Sequence, residues 1–187
     1  MKFLATVNTR HRILDATAKV VNKVGFSRAT IDEIVQEIGI SKARFLYYFP
    51  AKTDCFLALI DRVHISILQD AGNMTDTMPD MPGRMLKAYV TSSLEWLEPP
   101  RSRQMVRALE NMVLKKRIHK HRTEHFRMVY DERIPDQVIH AVFHICAGLW
   151  ATYHLSEEPP EEQVSFRNKM RDMMAGMIDD GACSLRR

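Results

Sequence analysis

The chain has 187 residues, 45% of them hydrophobic, with 27 Lys or Arg against 23 Asp or Glu and a net charge of +4. That length suits one compact body or a small head on a larger one, and the hydrophobic fraction supplies ample material for a core. No run approaches the roughly 18 to 20 uninterrupted apolar residues of a membrane span, and MKFLATVNTR lacks the apolar core and cleavage site of a signal peptide, so a cytoplasmic protein with no membrane partner is expected.

The first predicted helix covers residues 9–24, where Ile13, Ala16, Val20, Val21 and Val24 form one apolar stripe. Gly25 closes it, with Phe26 folding back beyond the cap. Thr30 followed three residues later by Glu33 is a capping box, so a second helix starts at Ile31, with Asp32 and Glu33 at its positive end. Ile31, Ile34, Val35 and Ile38 recur at helical spacing until Gly39, whose backbone enters the left-handed C-cap conformation without strain. Ser41 then caps a third helix after only two intervening residues, which forces a steep crossing: a helix-turn-helix.

Phe45 and Phe49 lie four apart and can face inward, which leaves Lys42, Ala43, Arg44 and Tyr47 on the outer side. An arginine there can grip guanine O6 and N7, while Ala43 and the tyrosine ring can touch a thymine methyl and Lys42 can meet phosphate or base. Pro50 stops the helix, and Lys52 and Thr53 open the next, whose N-terminal N–H groups form a natural phosphate site. The expected DNA contacts are Arg28, Thr30, Ser41, Lys42, Ala43, Arg44, Tyr47, Tyr48, Lys52 and Thr53. Charge agrees with this: residues 1–55 hold nine Lys or Arg against five Asp or Glu, and the remainder holds 18 of each. A positive head releases counterions from DNA, giving an affinity that falls steeply with salt.

Residues 9–60, TRHRILDATAKVVNKVGFSRATIDEIVQEIGISKARFLYYFPAKTDCFLALI, resemble the DNA-binding region of the tetracycline-repressor (TetR) family over their whole length. Matching features are Arg12, Ile13, Leu14 and Ala16, then Gly25, Phe26, Thr30, Ile34, Gly39, Ser41, Lys42, Tyr48, Phe49, Lys52 and Leu57. The resemblance implies a homodimeric transcription regulator, usually a repressor released from a palindromic operator by a small molecule. Two positions depart from the family pattern: Ala43 stands where glycine is common, and Leu46 where a tyrosine often contacts phosphate. Tyr47, Tyr48, Arg44 and Lys52 are then expected to carry more of the backbone grip, and no relative's operator can be borrowed.

A helix over residues 52–71 carries Phe56, Ile60, Val63 and Ile67 on one stripe, with Leu57, His64 and Leu68 beside it; at 1.5 Å per residue it is about 30 Å long and can link the head to a second domain. Residues 71–83, AGNMTDTMPDMPG, break the pattern. Further helices are expected at 83–98, 101–117, 118–133, 135–155 and 161–179, with no convincing strand. The fold class is therefore all-α: a head, residues 1–55, followed by a helical ligand-binding and dimerisation domain, residues 56–187. Residues 138–155 are apolar nearly all round, and Phe166, Met170, Met173, Met174 and Met177 give the last helix a matching stripe. A helix apolar on every side needs cover on every side. The family forms a four-helix dimer bundle from its last two helices, so the resemblance assigns self-association to residues 135–179.

Eleven of the twelve methionines lie at or beyond position 74, and methionine lines surfaces that accept varied apolar ligands. Trp96, Met105, Met112, Phe143, Trp150 and Tyr153 are the expected pocket for an unidentified effector. His140 and His144 are four apart, and His119, His121 and His125 cluster upstream, but the glutamate and third ligand of a catalytic zinc motif are missing. Phosphate loops, nucleophile elbows and paired-carboxylate motifs are also lacking. No metal, cofactor or enzymatic activity is expected, and Cys55 and Cys146 read as buried thiols. Arg101 to Arg127, with nine positive residues against Glu110 and Glu124, reads as a solvated face or a surface for a phosphate-bearing ligand or flanking DNA. The competing readings are an all-α enzyme or metal-sensing module with a vestigial head, and an architectural DNA binder without a ligand switch.

Overall fold

The computed structural model describes residues 2–97, 112–152 and 160–185, and every regular element among them is a helix. In chain order these are α1 (Lys2–Val24), α2 (Ile31–Ile38), α3 (Lys42–Tyr48), α4 (Lys52–Thr75), α5 (Arg84–Glu95), α6 (Met112–Val129), α7 (Asp136–Thr152) and α8 (Pro160–Ser184). The all-α expectation holds. None of the described helices is long and apolar enough to cross a membrane.

Two compact units divide the chain. The first takes in the chain up to Val63 together with the start of α6, to Ile118. Its core is built from the α1 stripe, Ile13, Leu14, Ala16 and Val21, with Ile34 of α2, Phe45 of α3, and Cys55, Phe56 and Leu59 of α4, all at most 2% exposed. Phe26 meets Phe56 edge to face at 4.2 Å between centroids, which anchors the α1–α2 connection on α4. Fully burying a side chain such as Phe45 contributes about 1.5 to 3 kcal/mol. Thr17, buried among these residues, donates to the Ile13 carbonyl and lies 3.2 Å from the Cys55 sulfur, so its hydroxyl is satisfied without water.

In the second unit, which takes α4 from His64 onward, α8 packs on both α5 and α7. Met174 and Ile178 of α8 are fully buried, as are Leu86 of α5 and Ile139 and Val142 of α7. Backbone crossings are close here. Gly83, with φ +72, precedes α5, and a Cβ on it would collide with the Ile178 side chain. Gly181 of α8 faces Val138 and Pro135, where a Cβ would stand 2.9 and 3.2 Å away. Asp131 locks the same corner by accepting from the Gly83 N–H and from Arg133, whose guanidinium holds its carboxyl down to about pKa 2.

Several boundaries differ from the sequence reading. α1 begins at Lys2 rather than 9. α4 continues through Gly72 to Thr75 instead of ending at Ala71, with the Thr75 hydroxyl donating to the Gly72 carbonyl. The expected break at residues 117 and 118 is absent: α6 is continuous from Met112 to Val129, and no proline or glycine interrupts it. α8 runs to Ser184, past Gly176 and Gly181, because packing against α7 offsets the glycines' poor helix propensity.

Replacing Gly83 by alanine combines a left-handed backbone with a clash into Ile178, so Gly83→Ala should cost about 2 to 4 kcal/mol. Urea unfolding would measure it, with Gly72→Ala, where a Cβ meets nothing within 4 Å, as the neutral or stabilising comparison.

Candidate nucleic-acid interface

The interface is assembled by local signals that the structure reproduces atom by atom. Thr30 accepts from the Glu33 N–H at 3.2 Å, and Glu33 accepts from the Thr30 N–H and hydroxyl, both at 2.8 Å. Those two bonds from Thr30 hold the Glu33 carboxyl below its ordinary pKa. Gly39 takes φ +66 at the end of α2, and Ser41 accepts from the Arg44 N–H to start α3. Arg12 reaches across from α1 to donate to the Ile38 carbonyl, covering a group the end of α2 leaves open.

Within α3 the inward and outward faces are cleanly divided. Phe45 is fully buried and Phe49, its C-cap, is 3% exposed, while Lys42, Ala43, Arg44, Leu46 and Tyr47 are exposed. Tyr47 is 79% exposed and meets Tyr48, half-buried, at right angles. Arg10 lies over the Phe49 ring at 5.1 Å, adding a further cation beside the helix.

Polar groups here are engaged within the chain, and in different ways. Lys42 pairs with Asp32 of α2 at 3.1 Å, and Arg44 donates to the Thr9 hydroxyl at 3.5 Å. Both contacts are long or solvent-exposed and cost little to exchange for a phosphate or base. Lys52 differs: its ammonium donates to the Phe26 and Ala29 carbonyls at 3.2 and 2.8 Å and sits over the Phe26 ring. Arg28 folds back to the Val24 carbonyl, and the Thr30 and Ser41 side chains serve as caps. At the start of α4, Thr53 is half-buried and Asp54 accepts from the Ala51 N–H, placing a carboxylate where the phosphate site was expected. Lys42, Ala43, Arg44 and Tyr47 therefore share one open face, while Arg28, Thr30, Ser41 and Lys52 hold the frame that presents it. Sequence reading overlooked Arg12, Asp32 and Arg10 as partners of this frame; their bonds bridge helices and leave no local spacing to find.

Of the expected pocket, Phe143 is buried and stacks on Tyr89 at 5.3 Å, whereas Trp96 donates to Asp70 of α4 and Trp150 is half-buried. Met105, Tyr153 and the Met112 side chain lie outside the described residues. Cys55 and Cys146 are both buried, and burial pushes their thiols up to about pKa 11 and 12, so they are inert. Among the described residues no group of three or more His, Cys, Asp or Glu is placed to hold a metal ion.

Helices α2 and α3, joined through Gly39, Ile40 and the Ser41 cap, with α2 packed on α1, form a helix-turn-helix. Residues 13–59 match the family model for bacterial regulatory proteins of the tetR family. Over 62 residues it is 39% identical to an uncharacterized HTH-type transcriptional regulator of Lactococcus lactis, a match covering 33% of this chain and 31% of that protein. The chain thus spans about a third of the length of this curated relative. A TetR-family transcriptional regulator from Streptomyces coelicolor shares the fold with a TM-score of 0.71 at 19% identity, covering 92% of this chain and 95% of that one. The regulator FadR of Bacillus subtilis, solved in complex with stearoyl-CoA, gives 0.69 at 14% identity, covering 88% and 96%. At these identities the likeness concerns the fold alone.

The Ser41 cap is the cheapest point at which to test the frame. Ser41→Ala should lower stability by about 1 kcal/mol in chemical denaturation, with the loss of protection in hydrogen exchange concentrated in Lys42–Tyr48.

Proposed function

We propose that the protein is a sequence-specific DNA-binding transcriptional regulator: a homodimeric repressor that leaves a palindromic operator when a small apolar ligand binds its C-terminal helices. The observation that carries the reading is the outward face of α3, where Lys42, Ala43, Arg44 and Tyr47 stand exposed over the buried Phe45 and Phe49. Arg44 is the base reader, Tyr47 and Ala43 supply apolar contact, and Lys42 and Tyr48 grip the backbone. The match of residues 13–59 to the tetR family model and the positive surplus of residues 1–55 support the same conclusion.

Dimerisation is supported by what a single chain leaves uncovered. Of the stripe expected on α8, Phe166, Met170, Met173 and Met177 are half-buried or exposed, while Met174, at its edge, and Ile178 beside it are buried. On α7, Ala141, Ile145 and Leu149 are likewise half-buried and Gly148 is exposed, opposite the buried Ile139, Val142, Phe143 and Cys146. Two such faces related by a two-fold axis would cover one another. Each dimer would carry two copies of α3, and a palindrome is read when these stand about one helical turn, 34 to 36 Å, apart. An apolar effector in the second unit is in keeping with its methionine-rich composition and with stearoyl-CoA bound to a protein of the same fold. Ligand and operator would then oppose each other by reciprocal linkage.

Arg44→Ala should remove about 1 to 3 kcal/mol of operator affinity and relax specificity at one base step, read by electrophoretic shift on a selected operator. Sedimentation should give a dimer at micromolar concentration, and Met173→Glu should convert it to monomer without loss of helicity. A monomeric wild-type chain under those conditions would sink the two-fold reading.

A further inference from the structure

The second unit packs three imidazoles against one another, two of them buried and His121 half-buried. His64 of α4 stacks on His121 of α6 at 4.6 Å between centroids and meets His125, one turn further along α6, at 4.9 Å and a 69° interplanar angle. His125 is 2% exposed and His64 7%. From α5, the Tyr89 hydroxyl lies 3.4 Å from His125 Nδ1, and from α7 Phe143 stacks on Tyr89. Among the described residues, the charged groups near these rings include the Asp61–Arg117 pair, which joins α4 to α6 at 2.7 and 2.8 Å one turn before His64 and His121. Glu124, on α6, lies 3.2 Å from His121 Nδ1 with its side chain 46% exposed. Tyr89 is kept neutral by burial, Cys146 of α7 is held as a thiol, and the Arg122 guanidinium lies 6.0 Å from the Phe143 ring.

We propose that the His64, His121 and His125 cluster is a proton-operated latch, which holds α4 against α6 while its rings are neutral and lets go in mild acid. Neutral imidazoles pack as flat aromatic rings. A proton on His125 sets a full charge against a second imidazole at a site only 2% exposed, where Glu124, the carboxylate that favours the charged ring, lies toward water. Burial, aided by His121, pushes the His125 pKa down to about 4, against the usual 6.5 for an exposed imidazole. An opened state takes up the proton below about pH 6.5, whereas the closed state resists it until about 4. The closed latch is therefore fully favoured above 6.5 and weakens as pH falls through that window, by up to about tenfold per pH unit. α4 is one continuous helix from Lys52, so opening would also alter operator binding, a consequence that rests on the DNA-binding reading above.

Urea unfolding of the full chain, wild type against His125→Phe and His64→Phe, should be compared from pH 7.5 to 4.5, with the exposed His140→Gln as control. The wild-type folding constant should fall about tenfold per unit below pH 6 relative to the Phe variants, and the control should follow the wild type. Parallel curves for all four proteins would overturn the latch. If the Phe variants do not fold, imidazole NMR of the wild type decides: a His125 ring still neutral at pH 5 supports the latch, and one titrating near 6.5 refutes it. Operator affinity at fixed ionic strength forms a separate arm. A wild-type loss between pH 7 and 5 that His125→Phe abolishes supports the coupling, and equal losses refute it. A chain that binds no selected duplex at any pH defeats the DNA reading and the coupling, while urea and NMR still decide the latch.

Discussion

The two-residue connection between α2 and α3 is the constraint on which the DNA-facing surface rests. Gly39 adopts φ +66 with nothing within 4 Å of where a Cβ would be, so glycine is needed for its backbone conformation and not for space. Its N–H bonds to Val35, Ile40 follows with its own bond to the same carbonyl, and Ser41 immediately caps the next helix. No slack remains for α3 to rotate about its axis without breaking one of these bonds. Because Phe45 and Phe49 sit four apart, the fixed rotation decides at once which residues are buried and which face out. A different turn would bury Arg44 or expose Phe45, so one glycine dihedral sets the chemistry of the whole face.

On that face the structure separates side chains with loosely held partners from those that hold the frame. Lys42 and Arg44 have exposed or long-range partners in Asp32 and Thr9, contacts worth a few tenths of a kcal/mol that can be traded for phosphate or base. They keep long side chains from sampling many rotamers, which lowers the entropy lost on docking. Lys52 holds two backbone carbonyls of the α1–α2 connection, and removing it would leave both without that donor. Its part is to bind the connection to α4, so that the cap at Thr30 and hence α2 stay in register.

What was legible in the sequence was whatever is encoded within one helical turn. The Thr30–Glu33 box, the Gly39 cap and the Ser41 cap each need residues two to four apart, and each was placed to the residue. The inward stripes of α1 and α4 were nearly as plain: Ile13, Ala16, Val20, Val21, Phe56, Ile60, Val63 and Ile67 proved buried, and only Val24, at the end of α1, is half-buried. The break placed at residues 117 and 118 failed because polarity was taken for a boundary: MVLKKRIHKHRTEHFRMV has no glycine, proline or cap, and α6 runs through it. Contacts between distant segments were illegible. His64 and His121 are 57 positions apart in sequence, and neither spacing nor composition says that their rings stack. For the same reason Asp32, ten residues before Lys42, gave no sign that it would become its counter-ion.

The continuity of α4 gives these separate observations a mechanical link. Between Lys52 and Ala71 there is neither glycine nor proline, and the helix shows no break over its 24 residues. Its first turns place Cys55, Phe56 and Leu59 in the core that supports α3, and its later turns place His64, Ile67 and Ala71 in the second unit. An unbroken helix cannot absorb a change at His64 by bending locally at low cost, because each residue's N–H is tied to a carbonyl four back. Within the first unit the helix is held by the buried Ile60 and Val63 and by Phe56 against its edge-on partner Phe26. Phe26 lies in the connection whose carbonyl Lys52 holds. Phe56 and Lys52 of α4 thus brace the connection that carries α2.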